Sequence, residues 1–98
     1  MIIVIGRAEV DPADIARLRP ALDAMMRATW EESGCLSYSM AVEGDSVVTI
    51  VERWADEAAL KAHFATPHMA AFNAQIKGAV RSMDLKMYDV TGERSLTI

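Results

Sequence analysis

The amino-acid sequence predicts an α+β fold of the ferredoxin-like class, ordered β-α-β-β-α-β, with a four-stranded antiparallel sheet and helices on one face. Three observations predict it. Four short segments are rich in apolar residues at strand spacing, two longer segments repeat apolar residues at helical spacing, and a Glu-Gly-Asp turn joins the second and third strands into a hairpin. At 98 residues the chain has the length of one domain, which we expect to span residues 1–98.

The first strand is predicted at the start of the chain, over residues 1–10. Ile2 and Val4 fall on one face, and Ile3 and Ile5 fall on the other. A sheet with one wet face alternates apolar and polar residues, so two apolar faces indicate that both are covered. Helices cover one face, and a second copy of the chain would cover the other.

The first helix is predicted to begin at Asp11, whose side chain can cap free amide groups, with Pro12 in the first helical position. Apolar residues and one threonine then recur at helical spacing: Ile15, Leu18, Leu22, Met25, Met26 and Thr29. Gly34 is the predicted C-terminal cap of this helix.

The hairpin that follows consists of strands over residues 35–42 and 46–54. In the first of them, Leu36 and Tyr38 are expected to share one face, with Cys35 on the opposite face. The turn between the strands is short, which makes the pair antiparallel.

The second helical segment is predicted over residues 56–64, and Thr66 and Pro67 then cap a new helix in a changed direction. The buried stripe of this new helix is predicted to be Met69, Phe72, Ile76 and Val80. The fourth strand is predicted over residues 83–90. One face of that strand carries Met83, Leu85 and Met87.

The composition excludes several classes of protein. Hydrophobic residues make up 52% of the chain, charged residues 24%, and the formal net charge is −4. A disordered chain is excluded, no apolar run is long enough to span a bilayer, and the acidic balance argues against nucleic acid as a partner. The chain starts directly with strand-like sequence, so we expect no secretory signal and a cytoplasmic location. A domain this small buries only about 60–65% of its unfolded surface, so the apolar content indicates oligomerisation.

No metal or cofactor motif is present. His63 and His68 are five residues apart with Pro67 between them, so they are not the i, i+4 pair of a helical zinc site. Cys35 is the only cysteine and is best interpreted as a small buried apolar residue. The glycines are scattered and form no phosphate loop for a nucleotide or flavin. We therefore expect neither a metal nor a cofactor.

The two histidines are candidates for a general base. His63 lies on the same helix side as Leu60, and His68 lies on the same side as Phe72. A histidine beside an apolar stripe can act as a general base, because the unperturbed pKa of imidazole lies near neutrality. The alternative is that each ring only hydrogen-bonds backbone groups where the helix changes direction.

The aromatic residues and one buried charge are further candidates. Glu52 shares a strand face with Val48, Ile50 and Trp54, so it needs a partner or a role, and Arg7 is a possible partner or a clamp for a substrate anion. The alternative is an ordinary ion pair. The aromatic set could wall a flat pocket or only fill the core: Trp30, Tyr38, Trp54, Phe64 and Phe72.

Several segments together resemble the antibiotic biosynthesis monooxygenase family, including its quinol monooxygenase branch. Residues 34–38 (Gly-Cys-Leu-Ser-Tyr) are similar to the element that opens the family's second strand. Residues 52–54 (Glu-Arg-Trp) and 60–63 (Leu-Lys-Ala-His) resemble its third strand and the helix that follows. Residues 66–72 (Thr-Pro-His-Met-Ala-Ala-Phe) resemble its Thr/Ser-Pro-His-x-x-x-Phe element.

This resemblance implies a dimeric α+β barrel, in which the sheets of two subunits pack together and each subunit has a pocket between sheet and helices. It also implies a monooxygenase that oxidises a quinol-like or polyketide-type aromatic with molecular oxygen, without metal or flavin. The candidate catalytic residues are His63, His68, Glu52 and Tyr38. The candidate substrate-binding residues are Trp54, Phe64, Phe72 and Arg7.

Two other functions stay open. The same fold family contains isomerases of small phosphorylated hydroxyketones, for which Arg7, Arg53 and Lys61 are the only cations near the predicted site. A barrel that binds a small molecule without transforming it is the other alternative. The direction of the arginine side chains and the volume of the pocket discriminate between these functions.

Overall fold

The computed structural model describes residues 1–98 and confirms the predicted fold class. The strands are β1 (Ile2–Val10), β2 (Cys35–Glu43), β3 (Val47–Trp54) and β4 (Val80–Asp89). The helices are α1 (Ile15–Trp30), α2 (Glu57–Phe64) and α3 (Pro67–Ile76). A single 3₁₀ turn (Pro12–Asp14) precedes α1. All neighbouring strands are antiparallel, and the sheet has the order β2-β3-β1-β4.

The core lies between one face of the sheet and the helices. The even-numbered residues of β1 face it, and Ile2 and Val4 are buried there together with Leu18 of α1. On the opposite face, which we call the outer face, Ile5 is 50% exposed and Ile3 is partly exposed. The prediction of two apolar faces on β1 is confirmed, and in the single chain the outer one is open. None of the three helices has the length and apolar character that a membrane span requires.

The start of the first helical segment follows the prediction, and its end does not. Asp11 accepts a hydrogen bond from the backbone N–H of Ala13 at 3.0 Å, which caps the 3₁₀ turn. The predicted capping role of Gly34 is wrong, because α1 ends at Trp30. Gly34 has a φ of +83°, and a Cβ there would stand 2.6 Å from the Cβ of Ala59. Glycine is required at this position by the turn and by the close approach to α2.

The first residues of β2 depart from strict alternation. Cys35 and Ser37 pair with two consecutive residues of β3, so Leu36 is the extra residue of a β-bulge. Leu36 is consequently 50% exposed, and Cys35 packs against the core. The prediction that Leu36 shares a face with Tyr38 is wrong for this reason.

The cap of α3 forms at Thr66 as predicted, whereas Asp56, predicted as the first residue of the second helix, caps that helix instead. Asp56 accepts from the backbone N–H of Ala59 at 2.8 Å, and Thr66 accepts from that of Met69 at 3.3 Å. The Thr66 hydroxyl also donates to the carbonyl oxygen of His63 at 2.8 Å. These bonds join the end of α2 to the start of α3, which fixes where the two histidines stand.

The fourth strand begins at Val80, earlier than the predicted start at residue 83. Gly78 has a φ of +86°, which takes the chain out of α3, and Val80 then pairs with Val10 of β1. Val80 therefore belongs to the strand and not to a helical stripe. The helices leave the core side of β4 open, and its apolar residues are 46–51% exposed: Met83, Leu85 and Met87.

Candidate active site

A cavity of about 220 Å³ lies between the sheet and the helices α2 and α3. Twelve of its sixteen lining residues are hydrophobic. One side is formed by half-exposed residues of β4 and by Phe64, which is 59% exposed, so the cavity opens to solvent along that edge. The arrangement suits a flat apolar molecule that enters at the edge of the sheet.

His63 of α2 is the most buried titratable side chain beside this cavity, with 1% of its side chain exposed. Its ring packs against those of Trp54, at a centroid distance of 4.8 Å, and Tyr38, at 5.4 Å. Nε2 has no hydrogen-bond partner in the protein, whereas Nδ1 lies 2.8 Å from Oε2 of Glu32. Glu32 therefore holds the imidazole at Nδ1, whereas Nε2 makes no hydrogen bond within the protein.

Glu32 was not predicted as a site residue, and it joins both histidines. It lies in the turn between α1 and β2, with 12% of its side chain exposed. Its Oε2 is 2.8 Å from Nδ1 of His63 and 2.7 Å from Nε2 of His68. His68 is 26% exposed and does not line the cavity. One carboxylate oxygen thus connects a buried imidazole on the cavity to a partly exposed one.

The same three residues are the group that could hold a metal ion. Their donor atoms all lie within 4.8 Å of one another. The spacing of the histidines excludes a pair on one helix, but the folded chain brings them together across a helix boundary and adds a carboxylate from a distant turn. Two imidazoles and one carboxylate form a donor set found around zinc and iron.

Glu52 lines the cavity from β3 and is 7% exposed. Burial raises the pKa of its carboxyl above the ordinary value of 4.5, although a hydrogen bond from Trp54 and the nearby His63 act in the opposite direction. The Trp54 bond joins indole Nε1 to Glu52 Oε1 at 2.8 Å. The predicted burial of Glu52 beside Trp54 is confirmed, and its partner is the indole and not Arg7.

Replacing Glu52 by glutamine is expected to reduce the pH dependence of folding stability. The pKa of the Glu52 carboxyl is raised above 4.5 in the folded state. Between pH 4.5 and that raised pKa, the folded state therefore binds more protons than the unfolded state. The free energy of unfolding therefore falls as the pH rises through that window. Glutamine keeps an oxygen that accepts from Trp54 but has no proton to lose.

Urea unfolding of both proteins between about pH 4 and about pH 8 measures this effect. Glu31→Gln, at an exposed position in the turn before β2, controls for the loss of one charge. The free energy of unfolding should decline less steeply in the Glu52→Gln variant than in the wild type and in the control. Parallel curves would contradict the prediction.

Tyr38 lines the cavity beside His63 and is 5% exposed. Burial, together with the charges of Glu52 and Glu32, raises the pKa of its hydroxyl above the ordinary value of 10. The hydroxyl therefore stays protonated at neutral pH. It contacts the sulfur of Met40 at 3.9 Å, a weak interaction that leaves the group able to donate to a ligand.

Only two of the four predicted substrate-binding residues line the cavity. Phe64 and Phe72 line the cavity. Trp54 is fully buried and does not line it, because the ring of His63 packs against the indole. Arg7 lies on the outer face, where its guanidinium pairs with Glu43 at 3.5 Å. Of the aromatic set, Trp30 is 51% exposed and its indole donates to the Tyr38 carbonyl at 2.7 Å.

The cations required for a phosphorylated substrate are placed elsewhere. Arg53 pairs with Glu93 at 2.8 Å, and neither it nor Arg7 nor Lys61 lines the cavity. Lys86 is the one cationic residue in the lining, and its Nζ bonds Asp84 at 2.7 Å. This arrangement weakens the isomerase hypothesis.

A family profile described as "Antibiotic biosynthesis monooxygenase" matches residues 1–75. The Mycobacterium tuberculosis protein named "Putative monooxygenase Rv0793" is 34% identical in an alignment 76 positions long, which covers 76% of this chain and 75% of that protein. The solved structure of Rv0793 has a TM-score of 0.85 at 29% identity and covers 96% of this chain and 98% of its own.

Two further similarities extend this picture. The Escherichia coli protein named "Probable quinol monooxygenase YgiN" is 34% identical in an alignment 68 positions long, which covers 58% of this chain and 64% of that protein. The match therefore spans less than two thirds of that relative. A solved structure from Deinococcus radiodurans has a TM-score of 0.89 at 24% identity over 99% of both chains, which shows the shared fold.

Proposed function

Because this chain belongs to the antibiotic biosynthesis monooxygenase family, we propose that it oxidises a quinol-like or polyketide-type aromatic with molecular oxygen and without a cofactor. The observation that supports this most is the buried imidazole of His63 on the wall of an apolar cavity. An electron-rich phenolate reduces oxygen by itself, so the protein needs only to remove the phenolic proton, hold the ring and exclude water.

The cavity limits the size of the substrate. An apolar cavity of about 150 Å³ accommodates benzene. The volume of about 220 Å³ here suits one ring or two fused rings, and the open edge along β4 leaves room for a substituent to project. Phe64 and Phe72 provide aromatic surface for stacking on such a ring.

The proposed reaction begins when Nε2 of His63 accepts the phenolic proton. The phenolate passes one electron to oxygen, and recombination of the two radicals forms a carbon–oxygen bond. The resulting peroxide takes the proton back from His63 and becomes a hydroperoxide. Loss of the C–H proton from the same carbon then cleaves the O–O bond, which leaves one oxygen atom as a new carbonyl and releases the other as water. That C–H proton replaces the one supplied to the leaving oxygen. The substrate supplies all four electrons, and two hydrogens of the substrate leave with the water.

We assign proton-donor roles in these steps to two buried groups beside His63. The Tyr38 hydroxyl, whose pKa is raised, donates a hydrogen bond to the substrate oxygen. Glu52, whose carboxyl pKa is also raised, supplies a proton to the oxygen that leaves as water. Both residues line the cavity, as does His63.

The test is oxygen-dependent turnover of one- and two-ring quinols. Aerobic and anaerobic incubations are compared by mass spectrometry, with ¹⁸O₂ as the oxygen source in a parallel set. We expect product only with oxygen, carrying one ¹⁸O atom. Turnover that proceeds equally without oxygen would favour the isomerase, and saturable binding with no product in either atmosphere would favour the binding barrel.

We also propose that two copies of the chain pack their outer faces together. Apolar side chains in the middle of that face remain half exposed in the single chain, including Ile5 at 50% and Val51 at 45%. These two residues are cross-strand partners on β1 and β3. A sheet-to-sheet homodimer would bury them.

A further inference from the structure

We infer that Glu32 is a positioning residue that fixes the tautomer of His63 and stabilises its protonated form, with His68 holding Glu32 in place. The inference rests on the proposed function, since it assigns how the base of that reaction is prepared. It starts from the single oxygen, Oε2, that both imidazoles contact at 2.7–2.8 Å.

An ionised carboxylate only accepts hydrogen bonds, so each imidazole nitrogen that faces Glu32 carries a proton. His63 is thereby held as the Nδ1–H tautomer. Its other nitrogen, Nε2, then has a free lone pair and no partner in the protein, on a ring that lines the cavity. A ring held in the opposite tautomer would present an N–H to the substrate and could not accept its proton.

Glu32 also acts after the proton has moved. An imidazolium at a position with 1% exposure has lost nearly all of its hydration. The carboxylate 2.8 Å from Nδ1 offsets that cost with a short, charge-assisted hydrogen bond. The interaction strengthens as charge develops on His63, which lowers the barrier to proton transfer.

His68 completes the arrangement from the protein surface. Its Nε2 donates to the same oxygen of Glu32, and its position is set by the Thr66 cap at the start of α3. A carboxylate in a turn is otherwise free to rotate away from His63. The second imidazole restrains Oε2, which explains why a histidine that does not line the cavity belongs to the site.

The distances favour hydrogen bonding over a bound metal. Around an ion with ligand bonds of about 2.0–2.2 Å, neighbouring donor atoms stand at least about 2.9 Å apart. The two N···O distances here are 2.8 and 2.7 Å, which are ordinary values for an N–H donor and a carboxylate oxygen. The three residues thus satisfy one another.

The experiment compares Glu32→Gln with the wild type by ¹⁵N NMR of the histidine rings and by steady-state kinetics. The wild type should show His63 protonated at Nδ1 and not at Nε2. The amide can donate as well as accept, so the variant should show mixed tautomers of His63. In the Ser-His-Asp triad the corresponding change of aspartate to asparagine lowers kcat about 10⁴-fold through the wrong tautomer. Here we expect a fall in kcat of at least about 10²-fold, with KM changed less than about threefold.

Two variants keep the test decisive. Glu31→Gln, an exposed neighbour, should leave both the tautomer and kcat unchanged. Glu32→Asp keeps the charge and should recover part of the lost kcat. Because the NMR signal needs no turnover, it tests the positioning role even if no quinol is oxidised. Protonation of His63 at Nε2 in the wild type would overturn the inference. The inference would also be overturned if turnover required one equivalent of Zn²⁺ or Fe²⁺ and the Glu32→Gln variant no longer bound that ion.

Discussion

Replacing His63 by asparagine is expected to lower kcat for quinol oxidation by about 10²- to 10⁴-fold, which is the usual contribution of a general base. Asparagine is the most conservative choice, because its amide N–H can replace Nδ1–H as a donor to Glu32, 2.8 Å from that nitrogen in the wild type. It has no counterpart of Nε2, so the phenolic proton loses its acceptor. Substrate affinity should change little, since the apolar walls remain.

The measurements are kcat and KM under air, the dissociation constant of a non-oxidisable phenol, and the melting temperature. Lys61→Gln, at a position on the same helix with 75% of its side chain exposed, is the matched control and should behave as the wild type. A His63→Asn variant that binds the phenol, melts normally and keeps its kcat would show that another group removes the proton.

The same variant also tests whether His63 and Glu32 act as a unit. If Glu32 works through the imidazole, the His63→Asn and Glu32→Gln losses should not multiply in the double variant. The double variant should then be no slower than His63→Asn alone. Losses that multiply would indicate that the carboxylate acts separately.

Element types and helix starts could be predicted from the sequence because they depend on local chemistry. Short runs of apolar residues identify β1 and β3, and the Thr66-Pro67 pair marks the start of α3 to the residue, whereas α2 begins one residue later than predicted. Each of these signals acts over a few residues. The element ends that were misplaced depend on tertiary contacts: Gly34 approaches Ala59 of another element, and β4 extends to Val80 because Val10 is there to pair with it.

In the candidate site, too, local patterns predict the positions of some residues but not of those that depend on tertiary contacts. Alternation places Glu52 on the core side, and its burial there follows. It also places Arg7 on the side of Ile3 and Ile5, so strand parity already separates Arg7 from Glu52. Glu32 carries no such signal, because it lies in a turn and its contacts with His63 and His68 span 31 and 36 residues.

The sequence pattern also could not predict how far a buried side chain lies from the cavity. Alternation gives Trp54 the correct face but not its distance from the cavity. The ring of His63 packs against the indole at 4.8 Å, so the tryptophan supports that ring, donates a hydrogen bond to Glu52 and does not form the cavity wall itself. The position of the His63 ring between Trp54 and the cavity depends on helix α2 crossing above strand β3.

Introducing a charge on the outer face is expected to dissociate the proposed homodimer. Val51 is 45% exposed in the single chain, beside Ile5 of β1. Tyr88 of β4 is 46% exposed on the same face and pairs with Ile3. Apolar side chains in the middle of a sheet face, surrounded by polar ones, are typical of a surface that meets a partner.

The size of the effect follows from symmetry. In a two-fold dimer the same residue enters the interface from both subunits, so Val51→Glu brings two carboxylates into it. Burying an unpaired charge costs several kcal/mol, and each 1.4 kcal/mol changes a dissociation constant about tenfold. The dissociation constant should therefore rise by about 10²- to 10⁴-fold.

Sedimentation equilibrium and light scattering at micromolar concentration measure this directly, with circular dichroism as a check of the fold. The wild type should be a dimer and the Val51→Glu variant a monomer with the same secondary structure. Ala58→Glu adds the same charge at an exposed position of α2 and should stay dimeric. A wild type that is monomeric at these concentrations would contradict the sheet-to-sheet dimer. A Val51→Glu variant that stays dimeric would show that the interface lies elsewhere. The half-exposed methionines of β4 would then be the next residues to substitute.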